Sequence, residues 1–336
     1  MRILIAGNPL PFHVGAHFYH AAEVLGVDVV IQDTQLAFSH HRLMQSAYWR
    51  FLGKRPLHMG RYSRAILEQS QTFKPELLLS IGAAPVNGSH LNQIGKQGVC
   101  RAVFLTDDPF NPVHDAAWFK QALRQYDYIF TPRRSNLSQL KSITNATISY
   151  LPFAYNPSVH YPASIPVDER QMGSDILFAG GADSDRLPWI NAFIKANMSV
   201  KLYGGYWEKY DNTRPYAHGH ADLELLRHLV PTSKINLGLV RRANRDGHVM
   251  RSFEVPAMGG MFLAEDTEEH RDLFGTEGET VLYFSDYEEA VVQAKWLLAR
   301  LDERQRLATA VYQHITNGKH TYADRLQTIL DTIRSS

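Results

Sequence analysis

Between Lys234 and Gly260 the chain runs from an apolar stretch, Ile235–Val240, through an arginine-rich polar loop to a short segment carrying Arg251 and Glu254, which stops at Gly259–Gly260. Asp246 and Glu254 have seven residues between them. A carboxylate accepts hydrogen bonds from a pair of neighbouring hydroxyls, whereas arginine, lysine and free backbone N–H groups bind phosphate oxygens. The segment therefore suits a ligand that carries both a diol and a diphosphate. Arg251, three residues before Glu254 on the same helical face, stands equally as its ion-pair partner and as a diphosphate clamp. Lys234 reads either as a solvated lysine or as a phosphate ligand.

A second group follows the apolar run Ile176–Ala179. Gly180 and Gly181 would let backbone approach a ligand closely, though a plain tight turn also explains them. Arg186 lies just beyond, positioned for phosphate. Asp183-Ser184-Asp185 has the spacing of an Asp-x-Asp metal motif; that pattern is common by chance, and no metal is expected here. Near the start, the loop Gly7–Gly15 carries His13, one of 16 histidines and so either a polar contact or a bystander. Asp107 and Asp108 end another apolar run, as a general base or as a turn before Pro109. His40–His41 and His218-Gly219-His220 lack a third ligand at useful spacing and stay unassigned.

These residues need a scaffold, and the chain supplies an alternating one. Ile3–Ala6, Val27–Ile31, Glu76–Ile81, Ala102–Leu105, Asp127–Thr131 and Thr147–Leu151 read as buried strands with room for crossover helices between them. Phe18, Ala21, Ala22 and Leu25 recur at helical spacing, with Gly26 at the C-cap. Leu151 to Gln171 carries Pro152, Pro157, Pro162 and Pro166 and reads as an ordered linker. The alternation restarts with Ile176–Ala179, Val200–Tyr203, Ile235–Val240, Met261–Ala264 and Val281–Phe284. The last fifty residues are helical, with Tyr322, Leu326, Ile329, Leu330 and Ile333 on one stripe. The expected organisation is an α/β pair of Rossmann-like domains, residues 1–155 and 172–315, facing across a cleft, with residues 316–336 packing on them as a helix. Ligands of such sheets sit beyond the carboxyl ends of the strands.

Composition narrows the partners. A length of 336 residues suits two cores, and 44% hydrophobic with 21% charged residues is ordinary for a globular chain. Net charge is +1, from 35 basic and 34 acidic residues. That balance lacks the cationic excess a nucleic-acid binder needs. The single cysteine, Cys100, excludes an intrachain disulfide and a multi-thiolate metal site. No apolar run approaches a transmembrane length, and Met1–Ala6 reads as a strand, not a signal peptide, so a cytoplasmic location is expected.

Seven segments carry a family resemblance in one order, over about two-thirds of the chain. They are Thr106-Asp107-Asp108-Pro109; Tyr126–Thr131; Leu151-Pro152-Phe153-Ala154 with Asn156-Pro157 and His160; Asp175–Gly180 with Arg186; Ser233–Leu237; Arg251-Ser252-Phe253-Glu254; and His320-Thr321-Tyr322 with Arg325. With them the chain resembles the CgeB-like (spore-maturation-protein-like) glycosyltransferases of the GT-B superfamily. Asp246 and Glu254 resemble the Glu-x7-Glu donor motif of retaining members, with aspartate in the first acidic place. The resemblance implies transfer of a sugar from a nucleotide-sugar donor, of the UDP- or GDP-sugar class, to an unidentified acceptor, with retention and without a metal or other cofactor. It implies that Glu254 holds the ribose, that Asp246 approaches the sugar hydroxyls, and that Arg186, Lys234, Arg251, Gly180 and Gly181 hold the diphosphate. It places the acceptor beside the His13 loop, with Asp107 or Asp108 as base if the reaction inverts. Two alternatives stand: a non-catalytic nucleotide-binding or assembly protein on the same scaffold, and a nucleotide-sugar epimerase or hydrolase.

Overall fold

Among the described residues, eleven strands form two wholly parallel sheets. In the computed structural model, which describes residues 1–39, 42–51, 53–164 and 172–335, the first sheet has the order β2-β1-β3-β4-β5-β6 and the second β11-β10-β9-β7-β8. His40, His41 and residues 165–171 of the expected linker lie outside the described residues.

The first unit contains β1 (Arg2–Gly7), α1 (Val14–Val24), β2 (Asp28–Asp33), α2 (Arg42–Phe51), α3 (Met59–Phe73), β3 (Leu77–Ile81), α4 (Gly88–Lys96), β4 (Cys100–Phe104), α5 (Ala117–Leu123), β5 (Tyr128–Thr131), α6 (Leu137–Ile143) and β6 (Thr147–Tyr150). The second contains β7 (Ile176–Ala179), α7 (Leu187–Lys195), β8 (Val200–Tyr203), α8 (Leu223–Thr232), β9 (Ile235–Gly238), α9 (Arg251–Ala257), β10 (Phe262–Glu265), α10 (Glu268–Phe274), β11 (Leu282–Phe284), α11 (Tyr287–Leu298) and α12 (Leu301–Asn317). A last helix, α13 (Tyr322–Arg334), returns to the first unit, which comprises Met1–Pro152, Ala243–Arg245 and Tyr322–Ser336. The C-terminal piece expected as one packing element thus divides at Thr321. Its stripe explains where it goes: Tyr322 packs edge-on against Phe18 of α1 at 5.2 Å and stacks on His17 at 5.0 Å.

Parallel strands are covered by helices on both faces, so they read as continuous apolar runs. Every residue of β3 is buried, and Ile3, Leu4, Ile5 and Ala6 are fully so. The eleven expected strands all form, β7 and β8 over the very residues expected and the others with ends shifted by one or two residues. One of these differences is informative. The apolar run at Ile235 continues to Val240, but the ladder stops at Gly238, because the Val240 N–H turns to the Glu265 carboxylate at 3.0 Å instead of a neighbouring strand.

Each sheet reverses direction of growth once, between β1 and β3 in the first and between β7 and β9 in the second. At such a switch point the two outgoing loops diverge to opposite faces and leave a crevice beyond the strand ends. Among the described residues no helix is long and apolar enough to cross a membrane.

Candidate functional site

At the switch point of the second unit, the loops after β7 and β9 are tied together by one side chain. Arg186 donates from Nη1 to the Gly181 carbonyl at 3.0 Å and from Nη2 to the Leu239 carbonyl at 3.4 Å. It is only 6% exposed, its guanidinium 5.3 Å from the Phe178 ring, and its Nε–H is buried without an acceptor among the described residues. Burial pulls its pKa below the usual arginine value, opposed by Asp183. A buried donor left without an acceptor costs about 1–3 kcal/mol, a cost that an anion could relieve. Asp183 serves mainly the fold: Oδ1 accepts from the Asp185 and Arg186 N–H groups at 3.1 and 3.0 Å, at the start of α7. Its Oδ2 faces Arg186 at 3.6 Å and Arg241 at 3.8 Å.

The backbone around this arginine is pinned. Ala182 N–H donates to Gly205 O at 2.9 Å, and the buried Trp207 indole donates to Gly180 O at 2.8 Å. Gly204 has φ +135°, and a Cβ there would lie 2.4 Å from the Gly180 oxygen, so this close approach of two loops requires glycine. Gly181 differs. A Cβ there would meet only Gly205 O at 3.5 Å and Arg241 Nη2 at 3.9 Å. The space beside Gly181 therefore opens toward a second arginine.

A third arginine comes from α9. Arg251 donates from Nε to the Ala179 carbonyl at 3.2 Å, across from the end of β7, and its Nη1 pairs with Glu254 Oε2. The Glu254 side chain is 1% exposed, and His160 Nε2 stands 3.6 Å from its other oxygen. His160 Nδ1 accepts the Asn156 N–H at 3.0 Å, which puts the ring proton on Nε2, facing the carboxylate. Burial lowers the His160 pKa, with Glu254 pulling the other way.

The loop between β9 and α9 rests on three side chains from β10 and α10. Glu265 accepts from Val240 N–H and, at 2.7 Å, from Arg242 Nη2. His248 Nε2 accepts the Phe153 N–H at 3.1 Å, so its proton sits on Nδ1 and points at Glu269 Oε2, 2.5 Å away. His270 Nδ1 donates to Glu265 O at 2.7 Å, and its Nε2 accepts from Ser252 Oγ at 2.8 Å. Ser252 Oγ in turn accepts the Val249 N–H at 3.1 Å. Burial pushes the His270 pKa down to about 4. Chained donors and acceptors of this kind fix one loop conformation, provided that every member keeps its protonation state.

Of the expected donor residues, Gly180, Gly181, Arg186 and Arg251 meet at this edge, Glu254 through its pair with Arg251. Asp246 joins them: its N–H donates to Arg241 O at 3.2 Å, and its charge is among those acting on Arg186. Lys234 does not. It precedes β9, and Ile235 pairs with Ile176 at the start of β7, one strand length (roughly 13 Å) from Gly180. There Lys234 Nζ bonds Asp175 at 2.8 Å on the amino edge of the sheet. Arg241, Glu265, His248, Glu269 and His270 were not singled out from sequence; only the Arg241-Arg242 doublet after β9 hinted at the first.

The first unit holds the remaining candidates. Asp108 is 1% exposed, accepts the Phe110 N–H at 2.9 Å and pairs with Arg245 Nε at 2.6 Å. A carboxylate so engaged is a structural acceptor, not a free base. Asp107 keeps an exposed head, with Asn244 Nδ2 at 3.2 Å and His114 Nε2 at 3.6 Å. His13 closes the loop after β1, its N–H donating to Leu10 O at 2.9 Å. Burial lowers its pKa, against the pull of Asp33.

Comparisons with known proteins bear on both units. Residues 186–331 match the family model described as "Glycosyl transferase-like". No curated protein sequence matches the chain significantly. Among solved structures, sucrose-phosphate synthase from Thermosynechococcus elongatus superposes with a TM-score of 0.69 at 12% identity, covering 100% of this chain and 99% of that one. A trehalose-6-phosphate synthase, studied for enzymatic glycosyl transfer with retention, gives 0.65 at 12% identity, with 100% and 99% covered. HepE from Anabaena, solved in complex with UDP, gives 0.60 at 10% identity with both chains fully covered. The fold is GT-B, built on parallel α/β sheets of six and five strands.

Proposed function

We propose that the chain is a glycosyltransferase whose second unit binds a nucleoside-diphosphate sugar and whose reaction delivers the sugar to an acceptor hydroxyl. The observation that carries this reading is Arg186, buried across the switch-point loops with an N–H left over, and flanked by Arg241 and Arg251. The glycosyl transferase-like match over residues 186–331 and the UDP bound by a similar structure support it.

In such a transfer the anomeric C–O bond breaks as the diphosphate leaves with growing negative charge. The reacting sugar passes through an oxocarbenium-like state, as in glycoside hydrolysis. The main demand on the protein is positive potential already in place at the leaving group. Arg186, fixed in low dielectric, and the more exposed Arg241 and Arg251 supply it. Glu254 takes the ribose diol, and in doing so competes with its present partner: the diol reaches the carboxylate as Arg251 turns to the diphosphate. Asp246 approaches the transferred sugar. The Asp246–Glu254 spacing and the trehalose-6-phosphate synthase likeness favour retention.

UDP is the first probe. A thermal-shift and calorimetric series should show UDP binding that falls at least tenfold in Arg241→Ala and Arg251→Ala. A panel of UDP-, GDP- and dTDP-sugars with mixed acceptors then separates the chemistries: transfer consumes both substrates, hydrolysis consumes only the donor, and a binder consumes neither. If no nucleoside diphosphate shifts the melting curve, the reading fails.

A further inference from the structure

The two sheets carry opposite chemistry at their switch points. In the second, Arg186 and Arg241 follow β7 and β9. In the first, β1 ends at Gly7, level with Asp33 of β2, and Ala6 pairs with Ser80 of β3, so three loops leave side by side at one height. Residues 8–13, 34–39 and 82–87 of those loops contain no Asp, Glu, Lys or Arg. The charged residue that adjoins them, Asp33, is acidic and accepts the Gln35 N–H at 2.8 Å. His13 adds no cation near neutral pH, because burial holds its pKa below the usual histidine value. Arg133, after β5, is 1% exposed and donates from Nη2 to Thr106 O at 2.9 Å. A phosphate group binds where guanidinium or ammonium groups converge, and these three loops bring none.

They offer apolar surface instead. Pro9, Leu10, Pro11 and Phe12 are four exposed apolar residues in a row, a run that folding does not call for. Leu10 and Phe12 are 48% and 54% exposed, and Leu36, in the turn after β2, is 61% exposed. The β1 loop is held in this form. Leu10 N–H donates to Asn8 Oδ1 at 2.9 Å, His13 N–H donates to Leu10 O at 2.9 Å, and two prolines fix their own φ. A ligand that covers Leu10 and Phe12 therefore meets a surface already ordered, and little entropy is lost in binding it. The place is the one at which open parallel sheets take small ligands, and apolar lining with a few polar groups is the usual make-up of such sites.

We propose that the carboxyl edge of β1, β2 and β3 is the acceptor subsite, and that it takes an uncharged hydroxyl compound with an aromatic or aliphatic body, packed on Leu10, Phe12 and Leu36, in preference to a phosphorylated sugar. This rests on the glycosyltransferase reading, which supplies the reaction the compound enters. The test is calorimetry and saturation-transfer NMR on the full chain with phenyl glucoside, octyl glucoside below its micellar concentration, glucose and glucose 6-phosphate, each with and without UDP. The two apolar glucosides should bind about tenfold tighter than glucose, the worth of covering roughly one large apolar side chain. Glucose 6-phosphate should bind no tighter than glucose. Leu10→Ser with Phe12→Ser should abolish the preference for apolar glucosides, and should keep the parent's melting temperature and UDP affinity, since both side chains are exposed and lie in the first unit. UDP binding without any preference for the apolar glucosides overturns the proposal and leaves the donor reading intact. So does tighter binding of glucose 6-phosphate, or a preference that the double variant keeps. Glucoside binding in a chain that binds no nucleoside diphosphate ends both the donor reading and the acceptor role. Self-association that the double variant abolishes assigns the surface to a second copy and likewise overturns the proposal.

Discussion

Acid should loosen the loop that carries Arg251, and one histidine sets the amount. His270 is fully buried, donates from Nδ1 to Glu265 O and accepts at Nε2 from Ser252, so the folded state holds it neutral. Its pKa is about 4 when folded, against the ordinary histidine value near 6.5 when unfolded. Between those values the unfolded chain binds a proton that the folded chain refuses, so stability is full above about pH 6.5 and declines as pH falls toward 4. Lowering the pH from 7.5 to 5.0 should therefore cost about 2 kcal/mol through His270 alone. The measurement is urea denaturation of the parent and of His270→Asn at both pH values. The variant is less stable at pH 7.5 but should lose about 2 kcal/mol less than the parent over the same drop. His13, His90, His160 and His218 also have lowered pKa values, yet they titrate in both proteins and cancel in the difference. UDP affinity of the parent should hold down to about pH 5 and weaken only as the pH approaches 4, where the folded His270 takes up a proton and its bond with Ser252, next to Arg251, is lost. Parallel stability losses in parent and variant would refute the reasoning.

Other perturbations separate binding from folding. Arg186→Leu should lower UDP affinity at least tenfold by calorimetry, and should cost about 1–3 kcal/mol of stability as the Gly181 and Leu239 carbonyls lose their donor. Gly204→Ala places a methyl 2.4 Å from the Gly180 oxygen at φ +135°, and should destabilise the second unit by at least about 2 kcal/mol in urea titrations while weakening UDP binding. Lys234→Ala should leave UDP affinity unchanged and alter stability by less than about 1 kcal/mol, since its partner Asp175 lies with it at the solvated amino edge. A large loss of UDP affinity in that variant would mean that the amino edge takes part in binding.

The sheets were legible because strands buried on both faces have no polar face to blur their pattern; β7 and β8 run over the very residues expected of them. What sequence order alone leaves open is direction and depth. Lys234 adjoins β9 in sequence and so reads with the donor residues, yet a residue that precedes a parallel strand emerges on the edge away from its ligands. Asp107 and Asp108 are neighbours of one type, and only the tertiary setting leaves one partly exposed and buries the other against Arg245. Glu254 showed its charge, its spacing and Arg251 as one possible partner in the sequence, but not that His160 would stand at its other oxygen. The histidines were the least readable. His248 and His270 differ from surface histidines only through Glu269, Ser252 and two backbone groups, distant in sequence.

Helix α13 lays the last described residues against α1 near the very beginning of the chain. During synthesis the whole second unit therefore leaves the ribosome before the first can be finished. Until then Phe18 and His17 lack their cover, and the amino-terminal half waits, partly built, for a segment more than three hundred residues downstream of its opening strand. A fragment ending at Pro152 should accordingly be sticky and poorly cooperative on its own, and should melt more sharply, though short of the full chain, when a peptide spanning 322–335 is added, because Arg245 still does not reach Asp108.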